Sequence, residues 1–174
     1  SVMQSALIAS EIDRVLTVQQ EQAIEQLMKL SAANSFQVAL LHGVTGSGKT
    51  EVYLRLAQLM ESVGRGVLML VPEIALTPAM VATFYGVFGR RVAIQHSGLS
   101  DGERHDQWHR IRRGEVHIVV GTRSAVFAPL EKLGLIIVDE EHDGSYKQEE
   151  TPRYHARSVA IIRAQQVGAL VVLG

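Results

Sequence analysis

The chain has 174 residues, of which 47% are hydrophobic and 20% charged, so it is long enough for one well-buried domain and its composition excludes wholesale disorder. Its net charge of −1 gives no global positive field, and any contact with an anionic polymer therefore depends on local patches. The absence of cysteine excludes disulfides and thiolate metal sites within these residues. No apolar run reaches the roughly 18 residues of a membrane span, and no segment has the pattern of a signal peptide.

Amphipathic segments of the chain predict helices. Residues 10–33 predict one or two leading helices. A second helical segment begins near Lys49 and ends at Gly64, because glycine readily adopts the left-handed conformation that follows a helix. A third begins at Ser100, whose spacing to Glu103 is that of a capping box. The second helix is predicted to bury one face containing Val52, Leu56, Leu59, Met60 and Val63.

Six short apolar runs predict buried strands of about five residues each. Such near-continuous runs are typical of parallel strands that are covered on both faces. The alternation of strand and helix along the chain then predicts an α/β fold with a doubly wound, mainly parallel sheet flanked by helices. The predicted strands are 38–42, 67–71, 92–96, 116–120, 135–139 and 169–173.

The segment GVTGSGKT at 43–50 matches G-x-x-x-x-G-K-[ST] in full, between a predicted strand and a predicted helix. Its glycines allow backbone N–H groups to surround phosphate oxygens, and the helix adds its partially positive N-terminus. Lys49 is expected to reach the β- and γ-phosphates, and the Thr50 hydroxyl to ligate Mg²⁺. The alternative is a glycine-rich turn that only caps a helix. The predicted nucleotide-binding residues are Gly43, Val44, Thr45, Gly46, Ser47, Gly48, Lys49, Thr50 and Glu51.

A second unusual stretch, DEEH at 139–142, follows a predicted buried strand. The carboxyl ends of parallel strands lie at one edge of a sheet, so these acids and the phosphate loop are predicted to meet. Asp139 is expected to hold Mg²⁺ through water, and Glu140 to orient or deprotonate the attacking water, so that Lys49, Asp139 and Glu140 form the predicted catalytic set. His142 is expected to couple this site to other motifs, with a structural role left open. The alternative for the acids is a solvated strand end.

Several enzyme classes share such a phosphate loop. A common GTPase needs an Asn-Lys-x-Asp guanine reader, and Asn34, the only asparagine, precedes the loop. The segment LSDGER at 99–104 superficially resembles a transporter signature but lies too near the phosphate loop and too far from the acidic strand. An autonomous small phosphotransferase, including a metabolite kinase, stays open as an alternative. The second open alternative is a non-catalytic module that binds a nucleotide or docks a partner protein.

The DEEH quartet resembles motif II of the superfamily 2 helicases, and other segments follow in that superfamily's order. VPEIALTP at 71–78 resembles motif Ia, and GTRSAVF at 121–127 resembles motif Ib. LTVQQ at 16–20 resembles the upstream adenine-sensing segment, which implies that Gln20 reads the base. The set of motifs is similar to that of the replication-restart helicases, and the resemblance covers about residues 16–174.

This resemblance implies the first RecA-like, P-loop NTPase lobe of a 3′-to-5′ ATP-dependent DNA helicase that restarts stalled forks. The implied cofactors are ATP and Mg²⁺. The implied partners are single-stranded and branched DNA, other primosome proteins and single-stranded DNA-binding protein, in the bacterial cytoplasm and with no membrane. Residues 16–174 are expected to form this lobe as a monomer, and residues 1–15 a leading segment, a linker or an expression remnant. A DNA-binding domain, motif III and a second lobe with an arginine finger and zinc are expected outside the chain.

The resemblance also implies contacts with DNA. Residues of motifs Ia and Ib are expected to contact phosphates without reading sequence, with His96 and Ser97 as further candidates. The polar segment 143–157 resembles an aromatic-rich loop that senses DNA, followed by a helix at about 153–166. The alternatives are helix capping by Thr77, a solvated loop for 143–157, and helix packing for Trp108. The predicted DNA-binding residues are Thr77, Thr122, Arg123, Ser124, Tyr146, Lys147, Arg153 and Tyr154.

Overall fold

Six parallel strands form the centre of the fold in the computed structural model, which describes residues 16–42 and 47–174. The strands are β1 (Gln37–Leu40), β2 (Gly66–Leu70), β3 (Val92–Gln95), β4 (Ile118–Gly121), β5 (Leu133–Val138) and β8 (Leu170–Leu173). Their order across the sheet is β1-β8-β5-β2-β4-β3, and every neighbouring pair is parallel. A separate antiparallel pair, β6 (Lys147–Gln148) and β7 (Tyr154–His155), follows β5. The predicted doubly wound parallel sheet is therefore confirmed.

Five helices of the described chain cover the sheet: α1 (Val18–Ala32), α2 (Ser47–Ser62), α3 (Pro78–Phe88), α4 (Asp101–Arg112) and α5 (Ala156–Val167). Residues 1–15 lie outside the described residues. Gly43, Val44, Thr45 and Gly46 also lie outside them, as does the side chain of Ser47, so their predicted contacts with nucleotide stay predictions. The predicted capping box at Ser100 and Glu103 is present. Thr17 caps α1 in the same way with Gln20, and Thr77 caps α3 by accepting a hydrogen bond from the Met80 N–H. Capping side chains, which hydrogen-bond to backbone N–H groups a few residues later, thus define where several helices begin.

The hydrophobic core lies in two layers, one on each face of the sheet. Alternate residues of the central strands point to opposite faces, so Ile137 packs with α1, α2 and α3 while Ile136 packs with α4 and α5. Phe84 and Phe88 fill the first layer, and the small side chains of α5 allow that helix to lie close to the second. The central strands are buried on both faces, which is why they read as continuous apolar runs.

Two burial predictions were wrong. The edge strand β1 leaves Val38 45% and Leu40 54% exposed, because no element of the described chain covers that face. On α2, Val63 is 62% exposed because the helix ends at Ser62 and Gly64 turns the chain away with a φ of 75°. Leu59 is also exposed at the margin of the helix, so only part of the predicted face packs on the sheet.

Glu61 joins three elements near the amino ends of the strands. Its Oε2 accepts hydrogen bonds from Arg91 Nε at 2.8 Å and from His117 Nδ1 at 2.9 Å. Burial by itself raises the pKa of Glu61, but the hydrogen bonds from Arg91 and His117 outweigh it and lower the pKa below its usual 4.5. Because the folded-state pKa is lower, the stabilisation is present above the unfolded pKa and is lost as pH falls through the folded one.

Glu61→Gln is therefore expected to lower the free energy of unfolding at pH 7 by about 1 kcal/mol, the usual size of a lost charge-assisted bond on a partly exposed network. The deficit should shrink as pH falls below about 4.5, where wild-type Glu61 also becomes protonated. Urea unfolding at a series of pH values measures this, with Glu25→Gln in the exposed Lys29 pair as the control. An equal deficit at every pH would contradict the electrostatic explanation.

Candidate active site

The start of α2 and the end of β5 meet at the carboxyl edge of the sheet. Lys49 Nζ lies 3.2 Å from Glu140 Oε1, although the two residues are 91 positions apart in sequence. The Lys49 side chain is only 18% exposed, whereas that of Glu140 is 61% exposed. The structure thus brings together the phosphate-loop lysine and the acidic quartet, as the parallel arrangement of their strands requires.

Two tyrosine hydroxyls hydrogen-bond to Asp139, one to its side chain and one to its backbone. The Tyr53 hydroxyl donates to Asp139 Oδ1 at 2.8 Å, and the Tyr146 hydroxyl donates to the Asp139 backbone carbonyl. Burial is the main cause that raises the pKa of Asp139, and the hydrogen bond from Tyr53 and the charge of Lys49 oppose it in part. Burial and the Asp139 charge also raise the pKa of Tyr53, so the phenol stays protonated and donates. The ionised carboxylate is therefore incompletely compensated by its protein neighbours.

An incompletely compensated carboxylate next to a hydroxyl-bearing helix start fits a magnesium ion. Asp139 and Thr50 offer oxygen donors, which Mg²⁺ prefers, and Mg²⁺ takes its remaining ligands from water and phosphates. Among the residues that the structure describes, no group of three His, Cys, Asp or Glu side chains could hold a metal by protein ligands alone. The donor set therefore fits Mg²⁺ carried by a nucleotide, and no all-protein metal cage is present in the described part.

The backbone at Glu140 adopts a φ of 49°, a conformation that residues other than glycine rarely take. This turn ends the β5 extension, and the Asp143 N–H donates to the Glu140 carbonyl at 2.8 Å. The result is that Asp139 faces inward while Glu140 projects toward solvent beside Lys49. Backbone conformations of this kind concentrate at functional sites, where the surrounding structure maintains them.

Gln20 connects the upstream segment to the phosphate-loop helix. Its side-chain amide accepts from the Thr17 N–H at 2.8 Å and donates to the Gly48 carbonyl at 3.1 Å. The residue is buried, and both ends of its amide are engaged by the protein. The LTVQQ segment therefore contacts the start of α2, while the reading of adenine by Gln20 stays a prediction. Glu51 is half-buried in α2, just after the first turn of the helix.

The last two residues of the quartet form a small ionic cluster with α5. Glu141 lies 3.3 Å from His142 Nε2 and 3.5 Å from Arg157 Nη1, so its carboxylate bridges the two. The His142 side chain is exposed and Glu141 is largely buried. The arrangement connects the acidic turn to the start of α5, and coupling by His142 stays a prediction.

A groove of about 540 Å³ lies beside the site, where β3 and β4 end. Thr122, Arg123 and Ser124 line it, as do His96 and Ser97, so five of the residues predicted to contact DNA share one surface. Trp108 also lines the groove, 40% exposed, with the Arg112 guanidinium 5.2 Å from its ring centroid. The predicted packing role of Trp108 is therefore only partly met, since much of the ring faces the groove.

Arg123 is engaged by the segment that follows the acidic quartet. Its Nη1 donates to the carbonyls of Lys147 at 3.1 Å and Ser145 at 3.4 Å, on either side of Tyr146. Its Nε is buried without a hydrogen-bond partner. Arg123 therefore anchors this segment to the groove, and its contact with phosphate stays a prediction.

The remaining candidates divide into three groups. Thr77 caps α3 and is not among the residues that line the groove, which agrees with its alternative capping role. Tyr146 is fully buried, so base stacking by its ring finds no support in this arrangement. Lys147, Arg153 and Tyr154 surround a second depression of about 470 Å³ on the β6–β7 pair.

Sequence reasoning missed Tyr53 and Phe127. Tyr53 lies four residues after Lys49 on α2, which places both on one helix face, and this spacing was the available signal. Phe127 is 57% exposed at the groove and packs edge-to-face against Tyr154, with ring centroids 5.0 Å apart. An exposed aromatic residue at the end of a short 3₁₀ turn belongs to no periodic pattern that would have identified it.

Curated relatives are similar to the chain over most of its length. It is 55% identical over 159 residues to "Replication restart protein PriA" of Bacillus subtilis, a match that covers 91% of this chain and 20% of the relative. It is 46% identical to the protein of the same name from Haemophilus influenzae, covering 97% of the chain and 23% of the relative. The resemblance to the replication-restart helicases is thus confirmed. The chain spans about a fifth of the length of these relatives.

Solved structures share the fold at low identity, which confirms the RecA-like architecture. T4 UvsW matches with a TM-score of 0.61 and 20% identity, over 92% of this chain and 30% of that one. RecG bound to a three-way DNA junction matches with a TM-score of 0.59 and 18% identity, over 99% of this chain and 23% of that one. The family described as DEAD/DEAH box helicase matches residues 6–172, nearly the whole chain. With its DEEH quartet placed beside the phosphate-loop lysine, the chain belongs to the DEAD/DEAH box helicase family.

Proposed function

We propose that the chain is the first motor lobe of a longer ATP-dependent DNA helicase that moves 3′ to 5′ and restarts stalled replication forks. The observation that carries this proposal is the contact of Lys49 with Glu140 beside the half-buried carboxylate of Asp139. Family membership implies ATP-dependent activity, and the relatives named for replication restart support the biological role.

Each residue of the site has a chemical role in this proposal. Lys49 binds the β- and γ-phosphates and stabilises the charge that develops on them. Glu140 orients the attacking water and accepts its proton, for which its exposed carboxylate is well placed. Asp139 and Thr50 would hold Mg²⁺, which would supply charge neutralisation of the phosphates. Gln20 and the segment 43–51 complete the nucleotide site.

Single-stranded DNA is proposed to lie along the groove lined by Thr122, Arg123 and Ser124. A structural relative is titled as bound to a three-way DNA junction, which supports branched DNA as a ligand here. The groove combines cations with the exposed rings of Trp108 and Phe127, which suits a ligand with phosphates and bases. The Arg123 bonds to the segment after the acids offer a route by which DNA alters the ATP site.

Further components belong to the proposed full-length protein. A second lobe supplies an arginine to the transferred phosphate, and a preceding domain binds the fork. Primosome proteins and single-stranded DNA-binding protein are the proposed partners, in the bacterial cytoplasm, with zinc held by cysteines elsewhere in the protein. In the described part of this chain, no helix is both long and apolar enough to cross a membrane.

The function is tested by ATP hydrolysis with and without forked DNA, in the full-length protein and in this chain alone. The full-length protein is expected to hydrolyse ATP much faster with DNA, by about 10³-fold or more over the isolated lobe, because a trans arginine contributes that order of magnitude. Robust turnover by the isolated chain without DNA would instead indicate the autonomous phosphotransferase. Nucleotide binding with no hydrolysis by either protein would indicate the non-catalytic module.

The cations of the β6–β7 pair provide a prediction about DNA. The double variant Lys147→Ala, Arg153→Ala is expected to weaken single-stranded DNA binding about equally for all sequences and to lower the salt slope by about 1 per residue. Fluorescence anisotropy at several salt concentrations measures both effects. Arg113→Ala is the matched control, because this exposed arginine follows α4 near the amino ends of the strands. An unchanged salt slope in the double variant would remove the pair from the DNA interface.

A further inference from the structure

The buried hydroxyl of Tyr53 contacts the carboxylate of Asp139, which is the carboxylate proposed to hold magnesium. Tyr53 lies one helical turn after Lys49, and its side chain is 1% exposed. Its hydroxyl donates to Asp139 Oδ1 at 2.8 Å, a charge-assisted bond between α2 and the end of β5. A buried tyrosine hydroxyl needs a hydrogen-bond partner, and Asp139 provides it. This bond ties the position of the Asp139 carboxylate to α2.

The backbone of Gly174, which follows the neighbouring strand β8, lies against the hydrogen bond between Tyr53 and Asp139. β8 lies between β1 and β5 in the sheet, so Gly174, the residue after β8, lies between the carboxyl ends of those two strands. The Gly174 N–H donates to the Val138 carbonyl at 3.0 Å, and its own carbonyl accepts from the Glu141 N–H at 3.2 Å. These two bonds fix the Gly174 backbone against the end of β5.

Only glycine leaves room for the Tyr53 hydroxyl at this point. A Cβ built on Gly174 would lie 1.8 Å from the Tyr53 hydroxyl oxygen and 3.1 Å from its Cζ. The same Cβ would be 3.5 Å from Asp139 Oδ1, which is ordinary contact. The collision is therefore with the hydroxyl itself, so the requirement for glycine arises from the tyrosine that positions the carboxylate.

We propose that Tyr53 is a positioning residue that orients the Asp139 carboxylate for magnesium, and that Gly174 is required because its bare backbone accommodates that hydroxyl. The inference rests on the proposed function, since it assigns Asp139 to a nucleotide-bound metal. A tyrosine that only fills the core would act through its ring, and a phenylalanine would replace it without consequence. Tyr53→Phe separates these roles because it keeps the ring and removes only the hydroxyl.

The first test measures divalent metal binding in the full-length protein. Mn²⁺ binding in the presence of a non-hydrolysable ATP analogue is followed by electron paramagnetic resonance, and the Mg²⁺ concentration for half-maximal ATP hydrolysis is measured in parallel. Tyr53→Phe is expected to weaken Mn²⁺ binding and to raise the Mg²⁺ requirement by about tenfold each, the usual scale of one charge-assisted hydrogen bond. Tyr85→Phe, on an exposed tyrosine of α3, should change neither quantity.

The second test is a double-mutant cycle on unfolding of the isolated chain, if its wild type unfolds cooperatively, or otherwise of the full-length protein. Gly174→Ala alone is expected to lower Tm by about 5 °C, as an overpacked buried site would. In the Tyr53→Phe background the same change should cost less than half as much, because the colliding oxygen is gone. Equal penalties in both backgrounds would overturn the proposed contact.

The two tests separate failure of this inference from failure of the proposed function. If Asp139→Asn abolishes Mn²⁺ binding while Tyr53→Phe leaves it unchanged, the positioning role is overturned and the helicase site stands. If Asp139→Asn leaves metal binding unchanged, Asp139 is not a metal residue, which overturns both the site assignment and the positioning role. If Tyr53→Phe weakens binding as much as expected and Tyr85→Phe does not, the positioning role is supported.

Discussion

Glu140→Gln is expected to lower DNA-stimulated ATP hydrolysis by about 10²–10⁴-fold in the full-length protein, the range for removal of a general base. The substitution keeps the shape of the side chain and its place beside Lys49, and glutamine retains the amide oxygen that can accept from Lys49 Nζ, 3.2 Å away in the wild type. It removes the ability to accept a proton from water. Nucleotide affinity should therefore change by less than about threefold, since the phosphate contacts remain.

Single-turnover hydrolysis and equilibrium nucleotide binding, measured on the same preparation, separate these two effects. Glu149→Gln is a suitable control, because this glutamate of the β6–β7 segment is exposed and lies in a surface pair with Lys147 at 3.7 Å. Binding to branched DNA should be retained in both variants. Normal turnover by Glu140→Gln would show that another group activates the water.

Lys49→Ala is expected to reduce hydrolysis by about 10²–10³-fold or more and to weaken nucleotide binding as well. In the proposed function the side chain supplies the cation that contacts the phosphates, and removing one charged donor from such a site has this order of effect. It also lowers the pKa of Asp139 through its charge, so its loss leaves two neighbouring carboxylates less compensated. The variant therefore differs from Glu140→Gln in losing affinity and turnover together.

Isothermal titration with Mg-nucleotide and steady-state hydrolysis measure the two losses. Lys29→Ala is the matched control, because Lys29 is exposed on α1 and forms only a surface pair with Glu25 at 3.4 Å. Unfolding of Lys49→Ala should stay close to wild type, which excludes a general loss of structure. Unchanged nucleotide affinity would place the phosphates elsewhere.

The sequence was sufficient for the parts of the fold that depend on local or repeating signals. The central strands read as continuous apolar runs because both faces are covered, and the predicted set of six was observed with shifts of one or two residues. The helix start at Ser100 was readable because capping is encoded within four residues. The meeting of Lys49 with Glu140 followed from a topological rule, since both leave parallel strands at the same edge.

Features that depend on tertiary neighbours were not readable in the same way. In the sequence, Tyr53 resembles any core residue of an amphipathic helix. Only the tertiary arrangement shows that its hydroxyl bonds to Asp139 after β5 and lies against Gly174 after β8. Tyr146 belongs to a polar segment that predicts exposure, yet its ring is buried beneath the Asp139 carbonyl. The strands β6 and β7 have two residues each, too few for alternation to be visible.

The direction of the Arg123 side chain was also outside the reach of sequence. A basic residue in a motif Ib-like segment predicts phosphate contact, but the guanidinium donates to two carbonyls beside Tyr146. The positive φ of Glu140 has no local sequence signal either, because glutamate rarely adopts it. Arg123 and Glu140 lie where the groove and the acidic turn meet, and there the tertiary surroundings override local preference.

The most direct measurement is a crystal structure of the chain with Mg²⁺ and a non-hydrolysable ATP analogue. The triphosphate should lie against the start of α2 with Lys49 on the β- and γ-phosphates, and the Mg²⁺ should lie between the Thr50 hydroxyl and the water shell of Asp139. Glu140 should face the γ-phosphate across a water molecule. Phosphates bound away from Lys49, or a metal on the far side of the sheet from Asp139, would contradict the shared site.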